Sequence, residues 1–117
     1  MAAKRSVLPD LAIAKVKRSC DRKIPAHVRD QLVWEVETRG RAISIYERRP
    51  PWHPEDTNPV WTKREIAQFR YDPELLTWTL YWANRNGKWR KVPDAPPAGD
   101  VEPLLLVVEE NRTGAFD

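Results

Sequence analysis

The chain has 117 residues, with 20 Lys and Arg against 17 Asp and Glu, a formal charge of +3. That length predicts a single domain able to bury one core, and shares of 41% hydrophobic and 32% charged residues exclude a membrane-embedded protein and wholesale disorder. No apolar run approaches the roughly 18 residues of a membrane span, and a single Cys20 offers neither an intrachain disulfide nor a cysteine metal site, so a reducing cytoplasm is the expected compartment.

The N-terminal residues 1–9 are expected to be flexible. Lys4 and Arg5 precede an apolar stretch that Pro9, Asp10 and Lys15 break, which argues against a signal peptide. Asp10 is then the expected cap of a helix from Leu11 to about residue 23. At 100° per residue, Ala12, Ile13, Val16, Cys20 and Ile24 share one side, while Lys15, Arg18 and Arg22 form a basic ridge on the other. Cys20 on the apolar stripe reads as an inert small hydrophobe. The charge is uneven along the chain: residues 1–29 carry eight basic side chains and two acids, whereas residues 100–117 carry five acids and one base. Two readings of the ridge follow. It pairs with the acidic C-terminal segment, or it faces an anionic partner.

From Leu32 the period changes to two. Leu32, Trp34 and Val36 alternate with Val33, Glu35 and Glu37, and after Arg39-Gly40 Ile43 and Ile45 alternate with Ser44 and Tyr46. A two-residue turn at Arg39-Gly40 sets Trp34 opposite Ile45 and Val36 opposite Ile43, all on one face. Residues 49–60, with four prolines, read as a rigid loop beside the sheet. Strand pattern resumes from Trp61 to Tyr71, turns at Asp72-Pro73-Glu74-Leu75, and returns from Leu76 to Ala83. Ala67, Phe69 and Tyr71 then share a face with Trp78, Leu80 and Trp82. A type I′ turn at Asn86-Gly87 leads into Lys88–Val92 and puts Trp89 on that same apolar face. Residues 93–99 are a Pro-rich linker, and Asp100 is the expected cap of a last helix burying Val101, Leu104, Leu105 and Val108. The expected architecture is an α+β two-layer sandwich over residues 1–117: an N-terminal helix, a five-stranded antiparallel meander and a C-terminal helix.

Candidate chemistry is sparse. His27 and His53 have no His or Cys neighbour at metal-ligand spacing, no nucleophile stands beside them, and four glycines make no phosphate-binding loop. No cofactor or metal is expected. Four tryptophans (34, 78, 82 and 89) fall on the apolar face and read as core. Trp52 and Trp61 flank the Pro-rich loop, where with Arg48, Arg49 and His53 they form a candidate recognition set. The opposite sheet face carries Tyr46, Arg48, Ile66, Arg70, Tyr81 and Arg90. It reads as a hydrated face of paired charges or as a platform that stacks and pairs a nucleic-acid strand.

The blocks YERRPPWHPE (46–55), WT (61–62), IAQFRY (66–71) and WTLYW (78–82) together resemble the bacterial "domain of unknown function 3024" family over nearly the whole chain. The resemblance implies a small cytoplasmic α+β protein with no established activity and no catalytic residue to carry over. The leading expectation is a non-enzymatic module that binds an anionic partner, RNA or single-stranded DNA, through the basic helix and the Arg/Trp loop. The alternatives are a protein-interaction adaptor built on the Pro-rich loop and an enzyme using His53.

Overall fold

The computed structural model describes residues 8–51, 60–111 and 116. Its elements follow in the order α1 (Asp10–Lys23), a short 3-10 turn (Ala26–Val28), β1 (Val33–Arg39), β2 (Ala42–Arg49), β3 (Thr62–Asp72), β4 (Thr77–Ala83), β5 (Trp89–Lys91) and α2 (Glu102–Glu110). The five strands form one antiparallel sheet in sequence order, and the two helices lie together on one of its faces. The expected α+β sandwich of two helices and a five-stranded meander is the fold observed.

α1 begins one residue earlier than expected. Pro9 takes the cap position, and its carbonyl accepts from Ala12 N–H at 3.1 Å, while Asp10 sits in the first turn, where its charge suits the helix dipole. The helix buries Ala12, Val16, Ser19 and Cys20 and closes at Ile24, before Pro25. α2 starts at Val101 with Pro103 in its first turn, where a missing N–H costs nothing. Asp100 still serves that end, since its carboxylate accepts from Glu102 N–H at 2.9 Å. Asn111, at φ +48, terminates α2 in the left-handed conformation that Asn tolerates. Its side-chain oxygen accepts from Phe116 N–H at 3.0 Å, returning the buried Phe116 ring to the core.

The core lies between the helices and the strand residues Ile43, Ile45, Ala67, Phe69, Trp78 and Leu80. Three turns set its register. Between β1 and β2 the turn is Gly40-Arg41, with Gly40 at φ +58, the arrangement of a type II′ hairpin. Val36 therefore faces Ile45 and Trp34 faces Glu47, two residues from the expected pairing but on the same faces. Between β3 and β4, Asp72 accepts from the N–H groups of Glu74 and Leu75 at 2.9 and 3.3 Å, an Asx turn that leaves Leu76 at φ +55. Phe69 faces Leu80 and Ala67 faces Trp82, on one face as expected, while the pairing of Asp72 with Thr77 moves the turn to residues 73–76, one residue later than expected.

The β4–β5 turn departs from expectation. Gly87 N–H bonds to Asn84 O at 2.9 Å, and Gly87 itself is at φ +74, so the loop is the three residues Arg85-Asn86-Gly87 rather than Asn86-Gly87 alone. One extra loop residue reverses the faces of β5. Trp89 pairs with Ala83 and stands on the face away from the helices, while Arg90 pairs with Trp82 on the helix side. A second correction lies in β3. The register with β2 shifts at Ile45/Tyr46, and the additional residue on β3 is Ile66, which is 1% exposed in the core instead of on the outer face. The linker also contributes to the sheet: Ala98 exchanges both backbone hydrogen bonds with Trp78, at 2.7 and 3.0 Å.

Candidate functional site

The basic ridge of α1 faces α2. Lys15 bonds Asp100 at 2.8 Å and lies 3.5 Å from Glu102, and Arg22 reaches Glu109 at 3.3 Å, with Ser19 donating to the same carboxylate at 3.2 Å. The hydrogen bond with Asp100 holds the Lys15 ammonium above its ordinary pKa, and in return Asp100 is held below the usual carboxylate value. A groove of about 270 Å³ between the helices is lined by Lys15, Arg18, Arg22, Glu102, Leu105, Leu106 and Glu109. Of the three ridge residues, Lys15 and Arg22 are the ones ion-paired across this groove among the described residues. Two basic side chains of α1 are thus joined to three acids of the C-terminal segment, Asp100, Glu102 and Glu109.

The recognition set divides across the sheet. Successive strand residues point to opposite faces, so Arg48 stands on the outer face while Arg49 stands on the helix side. Arg48 bonds Glu35 at 3.4 Å and, with Val33, Val60 and Trp61, lines an open groove of about 390 Å³. Trp61 is 37% exposed there. Trp52 and His53 lie outside the described residues, as do Glu55 and Asp56. Among the described residues no three His, Cys, Asp or Glu side chains gather as a metal site. His27 is exposed on the short 3-10 turn.

Arg49 belongs to a different cluster. Its Nε donates to Glu47 Oε2 at 3.1 Å, and Arg64 on β3 donates to the same oxygen at 3.1 Å. Trp34 Nε1 donates to the other oxygen of Glu47 at 3.4 Å, and Lys23 stands 5.8 Å above the Trp34 ring. Burial alone would raise the Glu47 carboxyl, but the hydrogen bonds from Arg49 and Arg64 outweigh it and hold the group below the ordinary carboxylate value. Glu47 is therefore an ionised, buried acid that orients two half-exposed guanidinium groups. Arg64 was not among the residues singled out from sequence. The signal for it is its position directly across from Glu47 in the β2–β3 register.

The outer sheet face is left uncovered by both helices. Tyr46, Tyr81 and Trp89 stand on it, with Arg48, Lys63, Arg70 and Lys91 among them and Glu35, Glu37 and Glu65 between. The Tyr46 and Trp89 rings meet edge to face at 6.4 Å. Lys63 lies 4.4 Å above the Tyr46 ring while bonding Glu37 at 2.7 Å, a hydrogen bond that raises the lysine and lowers the carboxylate. The Arg70 guanidinium lies 3.9 Å above the Tyr81 ring, held by its bond to Gln68 at 2.6 Å, and Gln68 donates in turn to Ser44 at 2.9 Å. A guanidinium held over a phenol ring adds a planar cation to the aromatic surface. Of the outer-face residues singled out from sequence, Tyr46, Arg48, Arg70 and Tyr81 stand on this face, with Arg70 over Tyr81. Arg90 does not, because the longer β4–β5 loop turns it to the other side, and Trp89 stands in its stead.

A family model described as "Domain of unknown function (DUF3024)" matches residues 6–117, and the chain belongs to that family. No curated protein matches the chain, and no solved structure matches it.

Proposed function

We propose that this family member is a non-enzymatic binding module that takes a single strand of nucleic acid, RNA or DNA, on its outer sheet face. The observation that carries the reading is the aromatic group on the face without helices: Tyr46, Tyr81 and Trp89, two of them beneath a cation. Bases stack on aromatic rings and on guanidinium planes, while ammonium and guanidinium groups meet the phosphates between them. Arg70 on Tyr81 supplies the plane, and the Arg48–Trp61 groove extends the same face toward the edge strand β1. The ridge of α1 is a secondary contact at most, since Lys15 and Arg22 already have acidic partners. We place the chain in the reducing cytoplasm, a reading supported by its single, buried, unpaired Cys20.

The test is a fluorescence-anisotropy titration of labelled single-stranded RNA and DNA at increasing salt. Saturable binding that weakens steeply with salt is expected, because phosphate neutralisation releases counterions. No binding of either strand at low salt would overturn the proposal, and would leave a protein partner as the ligand of the Arg48–Trp61 groove.

A further inference from the structure

Two acids of the outer face stand along its edge. Glu35 and Glu37 are two residues apart on the edge strand β1, and each holds a cation from a strand further in. Arg48 of β2 lies 3.4 Å from Glu35, and Lys63 of β3 lies 2.7 Å from Glu37. Lys63 crosses β2 to make that contact and stands 4.4 Å above the Tyr46 ring. Farther into the sheet the pattern changes. Arg70 is positioned by the Gln68 amide and the Tyr81 ring, both of them neutral. The face thus has a part where cations are matched by carboxylates and a part where a cation is matched by an amide and a ring.

This division treats the two forms of nucleic acid differently. A single strand offers its bases as well as its phosphates, and the bases stack on rings. A duplex keeps its bases stacked on one another and meets a flat surface mainly through its backbone, with one charge per about 1.7 Å of axis against about 3.4 Å for one strand. It therefore gains from such a surface chiefly what the cations supply. Carboxylates that neutralise Arg48 and Lys63, and that repel phosphates themselves, reduce that gain and leave stacking on Tyr81 and Trp89 untouched.

We propose that Glu35 and Glu37 make the outer face select single-stranded over double-stranded nucleic acid, by withholding Arg48 and Lys63 from phosphates that no stacked base accompanies. The inference rests on the strand-binding reading of that face and names the residues that set its substrate class.

A labelled single-stranded oligonucleotide and a blunt duplex of the same length are titrated against the wild type and against Glu35→Gln with Glu37→Gln. The wild type is expected to bind the strand about tenfold or more tighter than the duplex. In the variant, duplex affinity should rise by about tenfold and strand affinity by about threefold or less. The duplex salt slope should steepen by about 1.8, two phosphate contacts at roughly 0.9 each. Glu74→Gln with Asp94→Asn is the control, since it removes two exposed acids that lie off the strands and changes the net charge equally. It should leave the preference as it is in the wild type. A wild type that binds duplex as tightly as strand would overturn the proposal whether or not the variant folds. So would a folded variant with the preference of the control, which would make the acids plain cross-strand partners. A wild type that binds neither form defeats the strand-binding reading, and the variant then decides the inference: duplex binding that emerges in it keeps the acids as the barrier, and none overturns that as well.

Discussion

Tyr46 on β2 and Trp89 on β5 meet edge to face with their ring centroids 6.4 Å apart and their planes inclined at 68°. In a flat sheet these strands stand about 14 Å apart, three spacings of the usual 4.8 Å. The contact spans β3 and β4, the distance being made up by the reach of the two rings and by any curl of the sheet toward its outer face. Gly87 also comes close to β3, since a Cβ at that position would stand 3.4 Å from Glu65 Oε2. The contact makes Tyr46 and Trp89 one aromatic pair on the face that also carries Tyr81.

If the ring contact contributes to the fold, the two side chains are coupled in stability. Trp89→Ala is expected to cost about 1–2 kcal/mol, from half-buried apolar area and the ring pair. A double-mutant cycle with Tyr46→Leu, read by urea unfolding, should return a coupling of about 0.5–1.5 kcal/mol. Additive losses would place Trp89 on the surface without such a coupling.

Ile66 is the extra residue of the β3 bulge and is 1% exposed. Strict alternation assigns it to the solvent face, where truncation costs almost nothing. Its burial predicts instead a loss of about 2–4 kcal/mol for Ile66→Ala, measured by chemical denaturation. A loss within about 0.5 kcal/mol, typical of surface changes, would return it to the outer face.

These residues also explain which parts of the fold were legible in the sequence. Period-two alternation identifies faces only when the turn length is right. Moving the β1–β2 turn to Gly40-Arg41 displaces the pairing by two residues and leaves every face intact, so Trp34, Val36, Ile43 and Ile45 were correctly placed. Lengthening the β4–β5 loop by one residue reverses its strand, which exchanged Trp89 and Arg90. The bulge at Ile66 has no local signature, because an apolar residue between a glutamate and an alanine fits either face. The grouping of Arg48 with Arg49 failed for a simpler reason: neighbours on a strand diverge. Arg64 as the second arginine on Glu47 could be found only after the bulged register was known, since the pairing depends on it. The joining of the chain's basic and acidic ends, by contrast, follows from charge alone.

Burial of the Cys20 thiol pushes its pKa up to about 12. A thiol raised by desolvation is protonated at neutral pH and unreactive, so the native protein should resist iodoacetamide while the urea-unfolded chain is labelled promptly. The sign for stability follows from linkage. The folded state retains the proton after the unfolded chain releases it, so the contribution is complete below about pH 8.5, the unfolded value. It is lost as pH rises from there toward 12. Unfolding midpoints that fall between pH 8.5 and 10.5 in the wild type, and fall less in Cys20→Ala, are the expected result. Rapid native labelling at pH 7 would show that the stripe of α1 is open.

Glu47 provides the acidic counterpart. Its folded pKa lies below the ordinary value because Arg49 and Arg64 bond it. Its stabilising contribution is therefore present above the unfolded value of about 4.3 and is lost as pH falls through the folded one. Glu47→Gln is expected to cost about 1–2 kcal/mol at pH 7, the modest size reflecting two half-exposed arginines that water can still solvate. The same variant should unfold with a shallower dependence on pH below 4.5. Equal pH dependence in both proteins would mean that the carboxylate titrates as an exposed one.

The strongest separation of the readings of charge comes from comparing the two surfaces in one binding assay. The ridge cations Lys15 and Arg22 are engaged by Asp100, Glu102 and Glu109, so a strand approaching α1 must first compete with three carboxylates. On the outer face, Arg70 is fixed by a neutral amide and a ring, and its charge is not neutralised by the bond that positions it. Its long-range potential is therefore available to a polyanion, whereas that of Lys15 is largely cancelled. Arg70→Gln with Tyr81→Ala should thus lower affinity for a single-stranded oligonucleotide by about tenfold to a hundredfold, the stacking share being about 1–3 kcal/mol per base. Lys15→Gln with Arg22→Gln should change it by less than about threefold, since screened, already paired charges contribute little. Removal of Arg70 should also reduce the slope of log affinity against log salt by about one phosphate contact, or roughly 0.7 for a single strand. The reverse ranking, with the helix variants losing affinity and the sheet variants keeping it, would move the site to the groove between α1 and α2, which Arg18 also lines.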